Sequence, residues 1–254
     1  MRPLSTGFGS DGASTRHRGP RGRAWRRKPS PSGDGVVTEI ILDAGAAAGG
    51  DLTSHQMVMD TVTRAKMIVA QAWSLLPRAC LAGAVTKIRL QDLGAVHGQY
   101  DPDTGVLTLN PMLYDGRQID DAGGADPLRG PRVSRALHTT LHEFSHALGD
   151  ATGLDRRPAW LVLSGWVKDE QDASGYGRYW ERRPGWDYGP SPWRYRHGSW
   201  FCREYSSKTP YEDFADVVTY RALGWTHVFG QSGRPKLWYV NRHVWREPDE
   251  AEQE

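Results

Sequence analysis

Two histidines and a glutamate stand at fixed spacing in residues 142–146, which read His-Glu-Phe-Ser-His. Residues four apart on a helix share one face, with Cβ atoms roughly 6 Å apart, so His142 and His146 can reach one metal ion. Glu143 leaves the helix in a neighbouring direction, where it can hold a water molecule without binding the metal. The pattern predicts a catalytic zinc site. The alternative is a solvated helix that carries these residues by chance.

The residues around this run predict the helix that the site needs. Gly130-Pro131 is typical of a helix start with proline at the first position, and Gly149 is typical of a helix stop. Between them, apolar residues recur at steps of three and four: Val133, Leu137, Leu141, Phe144 and Leu148. We expect this face to be buried and the two histidines to lie at its edge, beside a cleft.

Two nearby alternatives for the third metal ligand fail. His138 lies one turn before His142, but Thr139 follows it where a glutamate would be needed, so we interpret His138 as a residue at the surface or behind a ligand. In another known pattern the third ligand comes six residues after the second histidine. That position is Thr152, which is not a plausible zinc ligand. The third ligand must therefore come from a later segment.

The segment from Tyr205 to Asp216 provides a glutamate on a second predicted helix. Thr209 is a natural N-cap and Pro210 a natural first residue, so Glu212 falls in the first turn and Asp216 one turn later on the same face. Thr209 and Glu212 also match a capping box, in which the carboxylate would bond the Thr209 backbone. Given the histidine motif, we favour Glu212 as the third ligand and Asp216 as the carboxylate that orients a ligand histidine.

Together, the two motifs resemble those of the gluzincin peptidases related to the catalytic domain of anthrax lethal factor and to zinc peptidases of bacteria and phages. In that group, the first glutamate of an E-x-F-A-E stretch binds zinc, and a tyrosine seven residues earlier stabilises the oxyanion. The resemblance implies these roles for Glu212 and Tyr205. It covers about residues 84–245. The chain departs from the group at Asp216, where glutamate is usual and the side chain is one methylene longer.

These residues predict metal-assisted hydrolysis, and the resemblance implies that the bond cleaved is a peptide bond. A hydrolase of another class stays an alternative, since a zinc-bound water attacks other carbonyls too. Three protein ligands leave one position on zinc for water, whose pKa falls toward ~7, and Glu143 can take its proton as it attacks a carbonyl. Zinc and the Tyr205 hydroxyl would share the charge that develops on the carbonyl oxygen. We therefore expect a zinc peptidase that acts on protein or peptide substrates. An endopeptidase is favoured because no pattern marks a site for a free chain terminus.

The expected architecture is an α+β zincin-like fold, in which a small mixed sheet packs on the motif helix and a second helix carries Glu212. Residues 84–90 alternate as a half-buried strand. Residues 97–100 and 106–110 flank turn residues at 101–105, which predicts a hairpin. The resemblance implies that residues 105–110 form an edge strand that pairs with the substrate backbone, although a plain sheet edge would give the same pattern.

Further helices are predicted on both sides of the motifs. A helix from about Asp51 to Leu76 should pack on the sheet, and one near Pro235 to Trp245 should pack on the Glu212 helix. Residues 157–204 are rich in tryptophan and arginine and have little periodicity. We expect an irregular insertion there, whose tryptophans form a small core and stack on arginine, or part of which lines the substrate groove.

Composition predicts one domain with two tails. A chain of 254 residues with 38% hydrophobic content can bury a sizeable core. Residues 1–31 carry eight basic residues and one acidic residue, a net charge of +7. Because the net charge of the whole chain is +2, the remaining residues carry a net charge of −5. We predict a disordered basic tail over residues 1–50, a metallopeptidase domain over 51–246 and an acidic tail over 247–254. A solvated tail is favoured over one that binds nucleic acid.

Two other functions stay open. The protein could keep zinc only to stabilise a binding or structural domain, although such a site has no need of Glu143, and the basic tail could attach it to nucleic acid. No membrane-spanning run is present. Arg26-Arg27 resembles a twin-arginine signal, but Glu39 and Asp43 interrupt the apolar stretch, so we expect an unexported, cytoplasmic protein. The two cysteines are too few for a disulfide framework.

Overall fold

The computed structural model describes residues 40–42, 55–81, 83–115, 133–168, 193–196 and 198–246. The chain divides into two compact units, Met1–Ser30 and Pro31–Glu254, and all the described residues belong to the second. They form helices and small sheets, which makes this unit an α+β fold. None of the helices in these ranges has the length and apolar character that a bilayer crossing requires. Cys80 and Cys202 are free thiols.

Short strands come mainly before the motif helix, and helices come mainly after it. The strands and α-helices in the described ranges are β1 (Ile40–Leu42), α1 (His55–Ser74), α2 (Arg78–Leu81), β2 (Lys87–Leu90), β3 (Gly98–Asp101), β4 (Val106–Leu109), α3 (Arg135–Thr152), α4 (Pro158–Ser164), β5 (Trp166–Lys168), β6 (Trp193–Tyr195), α5 (Pro210–Ala222) and α6 (Gly230–Val240). A 3-10 turn at Glu204–Lys208 precedes α5, and a π-helical turn at Asn241–Trp245 follows α6.

The first four strands form one mixed sheet in the order β1-β2-β4-β3. β1 and β2 are parallel, as are β2 and β4, whereas β3 returns antiparallel to β4 through the predicted hairpin. The prediction that residues 105–110 form an edge strand is wrong. Because β2 bonds one side of β4 and β3 bonds the other, β4 is an inner strand, and β1 and β3 are the edge strands of this sheet.

The described domain begins before residue 51, because β1 lies at residues 40–42 and pairs with β2. The predicted tail of residues 1–50 is therefore too long at its carboxyl end. Its remaining part lies outside the described residues. The arginine-rich segment with its proposed nucleic-acid contact, and the acidic tail at 247–254, also fall outside them.

Helix α3 carries the first motif, and its ends differ from the predicted ones. The Ser134 hydroxyl accepts a hydrogen bond from Leu137 N at 3.2 Å and caps the helix, while Gly130-Pro131 lies outside the described residues. The helix continues past Gly149 to Gly153, whose φ of 68° ends it. Gly149 serves a different purpose, since a Cβ there would lie 2.9 Å from an oxygen of the buried Asp155 carboxylate.

Helix α5 carries the second motif and begins as predicted. The Thr209 hydroxyl accepts a hydrogen bond from Glu212 N at 3.1 Å, and Pro210 is the first helical residue. α5 packs against α3 and against α6. The last helix starts earlier than predicted, at Gly230, and contains Pro235. The two motif helices are thus direct neighbours in the fold.

The described parts of region 157–204 contain regular structure that the sequence did not predict. It contains α4 and an antiparallel pair of strands, β5 and β6, while residues 169–192 lie outside the described part. Trp160 belongs to the main core and packs edge-on against Phe214 of α5, with ring centroids 5.3 Å apart. Lys236 Nζ lies 5.9 Å from the ring centres of both Trp160 and Trp200.

One apolar core joins the sheet, α1, α3 and α5. The sheet contributes fully buried side chains from its two central strands: Ile88, Leu90, Leu107 and Leu109. Trp73 of α1 packs edge-on against Phe144 of α3, with ring centroids 5.5 Å apart. Phe144 stands between the two motif histidines in sequence but points into this core. The apolar face of α3 therefore fixes the helix rotation that directs His142 and His146 toward α5.

Candidate metal centre

One ligand atom from each of three side chains meets in the space between α3 and α5. His142 Nε2 lies 2.9 Å from Glu212 Oε2 and 3.2 Å from His146 Nε2. His146 Nε2 lies 3.2 Å from the same Glu212 oxygen. The side chains of His146 and Glu212 are 20% and 19% exposed, whereas that of His142 is 7% exposed. The group is therefore open to solvent on the side of His146 and Glu212.

The spacing of these atoms suits a metal ion. Ligand atoms about 2.0–2.2 Å from a tetrahedral zinc ion stand roughly 3.3 Å from one another. Hydrogen bonds alone would pair these three atoms poorly. A neutral imidazole nitrogen either donates one hydrogen bond or accepts, and each nitrogen here faces two neighbours. A cation at the centre would meet all three atoms at once. The residues present therefore fit zinc by donor type and by spacing.

The backbone and the carboxylate of Glu212 make different contacts. Its backbone N–H caps α5 through the Thr209 hydroxyl. Its carboxylate faces the cluster: Oε2 meets both histidines, and Oε1 accepts a hydrogen bond from the Tyr205 hydroxyl at 3.3 Å. Both carboxylate oxygens thus have partners at the cluster. The cap of α5 therefore uses the backbone N–H of Glu212, and the contacts of its carboxylate lie at the cluster instead of at the Thr209 backbone.

Asp216 lies behind His142, one turn after Glu212 on α5. Its Oδ1 is 2.9 Å from His142 Nδ1, and the carboxylate is completely buried. Burial alone would lower the pKa of His142, but Asp216 and Glu212 outweigh burial and raise it to about 10. The pKa of Asp216 is well below its ordinary range, because His142 and Arg203 stabilise the anion against the effect of burial. The structure places Asp216 where it can orient this imidazole.

Arg203 and Ser206 hold the Asp216 carboxylate from the other side. Arg203 donates from Nε to Oδ2 and from a terminal nitrogen to Oδ1, each at 2.8 Å. The Ser206 hydroxyl donates to Oδ2 at 2.6 Å. Neither residue was predicted from the sequence. Their signal was local, since they flank Tyr205 in the turn directly before α5.

Glu143 lies beside the cluster under the edge strand β3. Its side chain is buried, and it accepts a hydrogen bond from the backbone N–H of Tyr100. A Cβ at Gly98 would lie 2.7 Å from Glu143 Cγ, so only glycine lets β3 approach this closely. Burial raises the pKa of Glu143, against the opposing effect of His142 and His146. A glycine within a predicted strand was the available sign of such close approach.

Tyr205 lies in the turn before α5, and its hydroxyl contacts the Glu212 carboxylate. Burial and the nearby carboxylates of Glu212 and Glu143 raise its pKa, so the hydroxyl stays protonated at neutral pH. Two cations flank the ring: Lys208 Nζ lies 3.9 Å and Arg203 Cζ 4.9 Å from its centre. The hydroxyl is thereby held as a donor next to the proposed metal position.

His138 is buried, so its interpretation as a surface residue is wrong. Its ring stacks 6.5 Å from that of His142 and contacts the rings of Tyr220 and Trp225 at 6.0 and 6.2 Å. These aromatic neighbours come from α5 and the residues that follow it. His138 therefore lies behind a proposed ligand, which is the other position that the sequence allowed.

Comparison with known proteins provides no independent assignment. No family model matches the chain, and neither a curated protein nor a solved structure matches it. The chemistry proposed for this site therefore depends on the geometry of its residues and on the resemblance of two short motifs.

Proposed function

We propose that this protein is a zinc-dependent peptidase with a zincin-like fold of the gluzincin type. In this proposal His142, His146 and Glu212 hold the metal, Glu143 is the general base and Tyr205 stabilises the oxyanion. The observation that carries it is the approach of three ligand atoms to within 3.2 Å of one another, beside a buried glutamate outside the ligand group.

The donor set supports zinc over other common ions. Two imidazole nitrogens and one carboxylate oxygen form a set found in catalytic zinc sites, where a fourth position stays open. Magnesium and calcium prefer sites made of oxygen atoms alone. When bound, zinc would polarise a substrate carbonyl and make a water molecule more acidic. The contact of His142 with a buried carboxylate is also typical of zinc-bound histidines.

The remaining steps fall to side chains of this protein. Glu143 would take the proton from the attacking water and pass it to the departing amine. Its pKa is raised by burial, which favours proton uptake by this carboxylate. Tyr205 would donate its hydroxyl hydrogen to the oxygen on which negative charge develops. Its own raised pKa keeps that hydrogen in place.

The outer edge of β3, which pairs with no other strand among the described residues, offers a place for an extended substrate. On its other edge, His97 O accepts from Asn110 N at 2.9 Å and Asp101 O accepts from Gly105 N at 2.8 Å. Backbone groups alternate along a strand, so those of Gly98 and Tyr100 face the outer edge, on the side of Glu143. The Tyr100 N–H already bonds Glu143, so a substrate would pair with the Gly98 groups and the Tyr100 carbonyl. A substrate that adds there as a further strand needs no free terminus, which favours an endopeptidase.

A protein that keeps zinc only for stability is the second candidate, and Glu143 distinguishes the two. A structural zinc site is closed by four protein ligands. Among the described residues the cluster offers three, and a buried carboxylate with a raised pKa lies next to it. Burial of an ionisable group without a binding role costs free energy. This arrangement favours catalysis over a purely structural site.

The test combines metal analysis with cleavage of a peptide library by the full-length protein. We expect the wild type to bind one zinc ion and to cleave peptides. Glu143→Ala and the isosteric Glu143→Gln should keep zinc and lose about 10²- to 10⁴-fold in cleavage rate. Asp103→Asn, a change of an exposed carboxylate in the hairpin turn, is the control and should cleave normally. A wild type without metal, or a Glu143 variant of full activity, would refute the proposal.

A further inference from the structure

We propose that Arg203 and Ser206 are positioning residues for the metal centre. They fix the Asp216 carboxylate at the point from which it orients His142, and their three hydrogen bonds hold this side chain, which is one methylene shorter than glutamate, in place. This inference rests on the proposed zinc site. It assigns a role to two residues that lie outside the ligand group and next to the tyrosine.

The contacts of Asp216 account for both of its oxygen atoms. Oδ1 meets His142 Nδ1 at 2.9 Å and an Arg203 terminal nitrogen at 2.8 Å. Oδ2 meets Arg203 Nε at 2.8 Å and the Ser206 hydroxyl at 2.6 Å. A two-pronged arginine contact fixes the plane of a carboxylate as well as its position. The direction of Oδ1 toward the imidazole is thus set from behind by Arg203 and Ser206.

The same contacts explain why aspartate suits this chain. A glutamate at position 216 would carry its carboxylate about 1.5 Å further from the helix. It would then collide with the Ser206 hydroxyl or with Arg203, or turn away from His142, because these partners already lie at hydrogen-bonding distance. The short side chain and its two partners therefore form one matched set.

The same turn also presents Tyr205. Arg203 and Ser206 lie on either side of it, and the turn is closed by a hydrogen bond from Arg203 N to Ser206 Oγ at 3.2 Å. The Arg203 guanidinium lies 4.9 Å from the centre of the Tyr205 ring. Through Asp216, the turn is joined to α5 and to His142. One carboxylate thus aligns a metal ligand and the oxyanion donor with each other.

Zinc affinity of the full-length protein, measured by competition with a chromogenic chelator, tests the inference without depending on activity. Arg203→Met should weaken zinc binding about 10- to 100-fold, the usual cost of losing an outer partner of a ligand histidine. Arg203→Lys keeps the charge but loses the two-pronged contact, and it should fall between wild type and Arg203→Met. Arg221→Met removes an arginine of α5 whose Nε donates to Asn241 Oδ1 at 2.6 Å, and it should leave zinc affinity unchanged.

A rescue experiment separates positioning from general stability. Asp216→Glu should weaken zinc binding about tenfold, and adding Ser206→Gly should restore part of the loss by making room for the longer side chain. Ser206→Ala, the smallest change, keeps the test valid if Arg203→Met does not fold. With a cleaved peptide, Arg203→Met should lower kcat more than it raises KM, because Tyr205 acts after substrate binding.

The inference fails if Arg203→Met and Ser206→Ala both bind zinc within twofold of wild type, or if Asp216→Glu binds as well as wild type. Failure of the proposed function looks different. A wild type that binds zinc but cleaves no peptide would refute the peptidase, while the order of zinc affinities among these variants would still decide the positioning role. A wild type that binds no zinc would overturn both.

Discussion

Two buried carboxylates lie three residues apart on α5, and each holds a cation. Asp216 bonds Arg203, and Asp213 bonds Lys236, whose Nζ lies 2.8 and 2.7 Å from its two oxygens. Both aspartates are fully buried. The surroundings of the two aspartates differ. Asp216 contacts His142, a proposed metal ligand, whereas Asp213 accepts a hydrogen bond from Trp166 Nε1 at 3.0 Å.

The difference separates a contact that holds the fold from one that orients a side chain. Lys236 also donates to the Trp200 carbonyl oxygen at 2.5 Å, so the Asp213 pair ties α5 to α6 and to the tryptophan-rich region. Burial raises the pKa of Asp213 despite Lys236, while the pKa of Asp216 is lowered overall. A buried ion pair on this helix therefore indicates function only when its carboxylate also reaches the cluster.

The largest expected effect is the loss of zinc binding when Glu212 of α5 is replaced. Glu212→Ala should abolish zinc binding at micromolar metal, a larger loss than the roughly 10- to 100-fold cost of removing an outer partner. The helix cap survives, because it uses the Glu212 backbone N–H. Metal analysis after gel filtration, with circular dichroism for folding, checks this. If the Glu212 carboxylate instead capped the helix through the Thr209 backbone, stability would fall by about 1 kcal/mol and the metal would remain.

On the structural side, Asp213→Ala should destabilise the protein by about 3–5 kcal/mol, because Lys236 would be left buried without its partner. Zinc affinity of the folded fraction should stay within twofold of wild type. Urea unfolding and chelator competition measure the two quantities separately. The double variant Asp213→Leu with Lys236→Met removes both charges and should recover much of the stability. A Asp213→Ala variant that folds stably but loses zinc would erase the contrast between the two aspartates.

Much of the candidate site could be predicted from the sequence, because its parts are local. Glu143 and the motif histidines lie within one helical stretch, and the Thr209-Pro210 signal places Glu212 in the first turn of α5. Periodicity, caps and turn residues act over a few neighbours, and a single sequence displays them. The α+β class followed from the same signals.

What the sequence did not predict depends on contacts between distant segments. The strand order of a sheet cannot be read from alternation, so β4 was mistaken for the edge. Gly149 was mistaken for a helix stop, since the need for glycine there comes from Asp155 in a later turn. Gly98 meets Glu143 across a strand and a helix, 45 residues apart. In each case the residue type is explained by a neighbour that only the fold supplies.

The smallest expected effect is a pH dependence of protein stability, which should require Asp216 and not Asp213. The pKa of His142 in the folded, metal-free protein is about 10, above its ordinary value of 6.5. The folded state therefore binds more protons than the unfolded state between these values. The contribution of His142 protonation to the stability of the fold is complete below pH 6.5 and is lost as pH rises through 10. The metal-free protein should lose stability from pH 7 to pH 9.

Zinc should remove this slope, because the metal takes the place of the proton on His142 Nε2. Thermal unfolding with chelator and with zinc, at several pH values between 7 and 9, measures the two slopes. In the metal-free protein Asp216→Asn should flatten the slope, since it removes the charge that raises the pKa of His142, whereas Asp213→Asn should leave it as in wild type. Equal slopes in both variants would mean that the two carboxylates act on the fold alike, and that the contact of Asp216 with His142 carries no separate role.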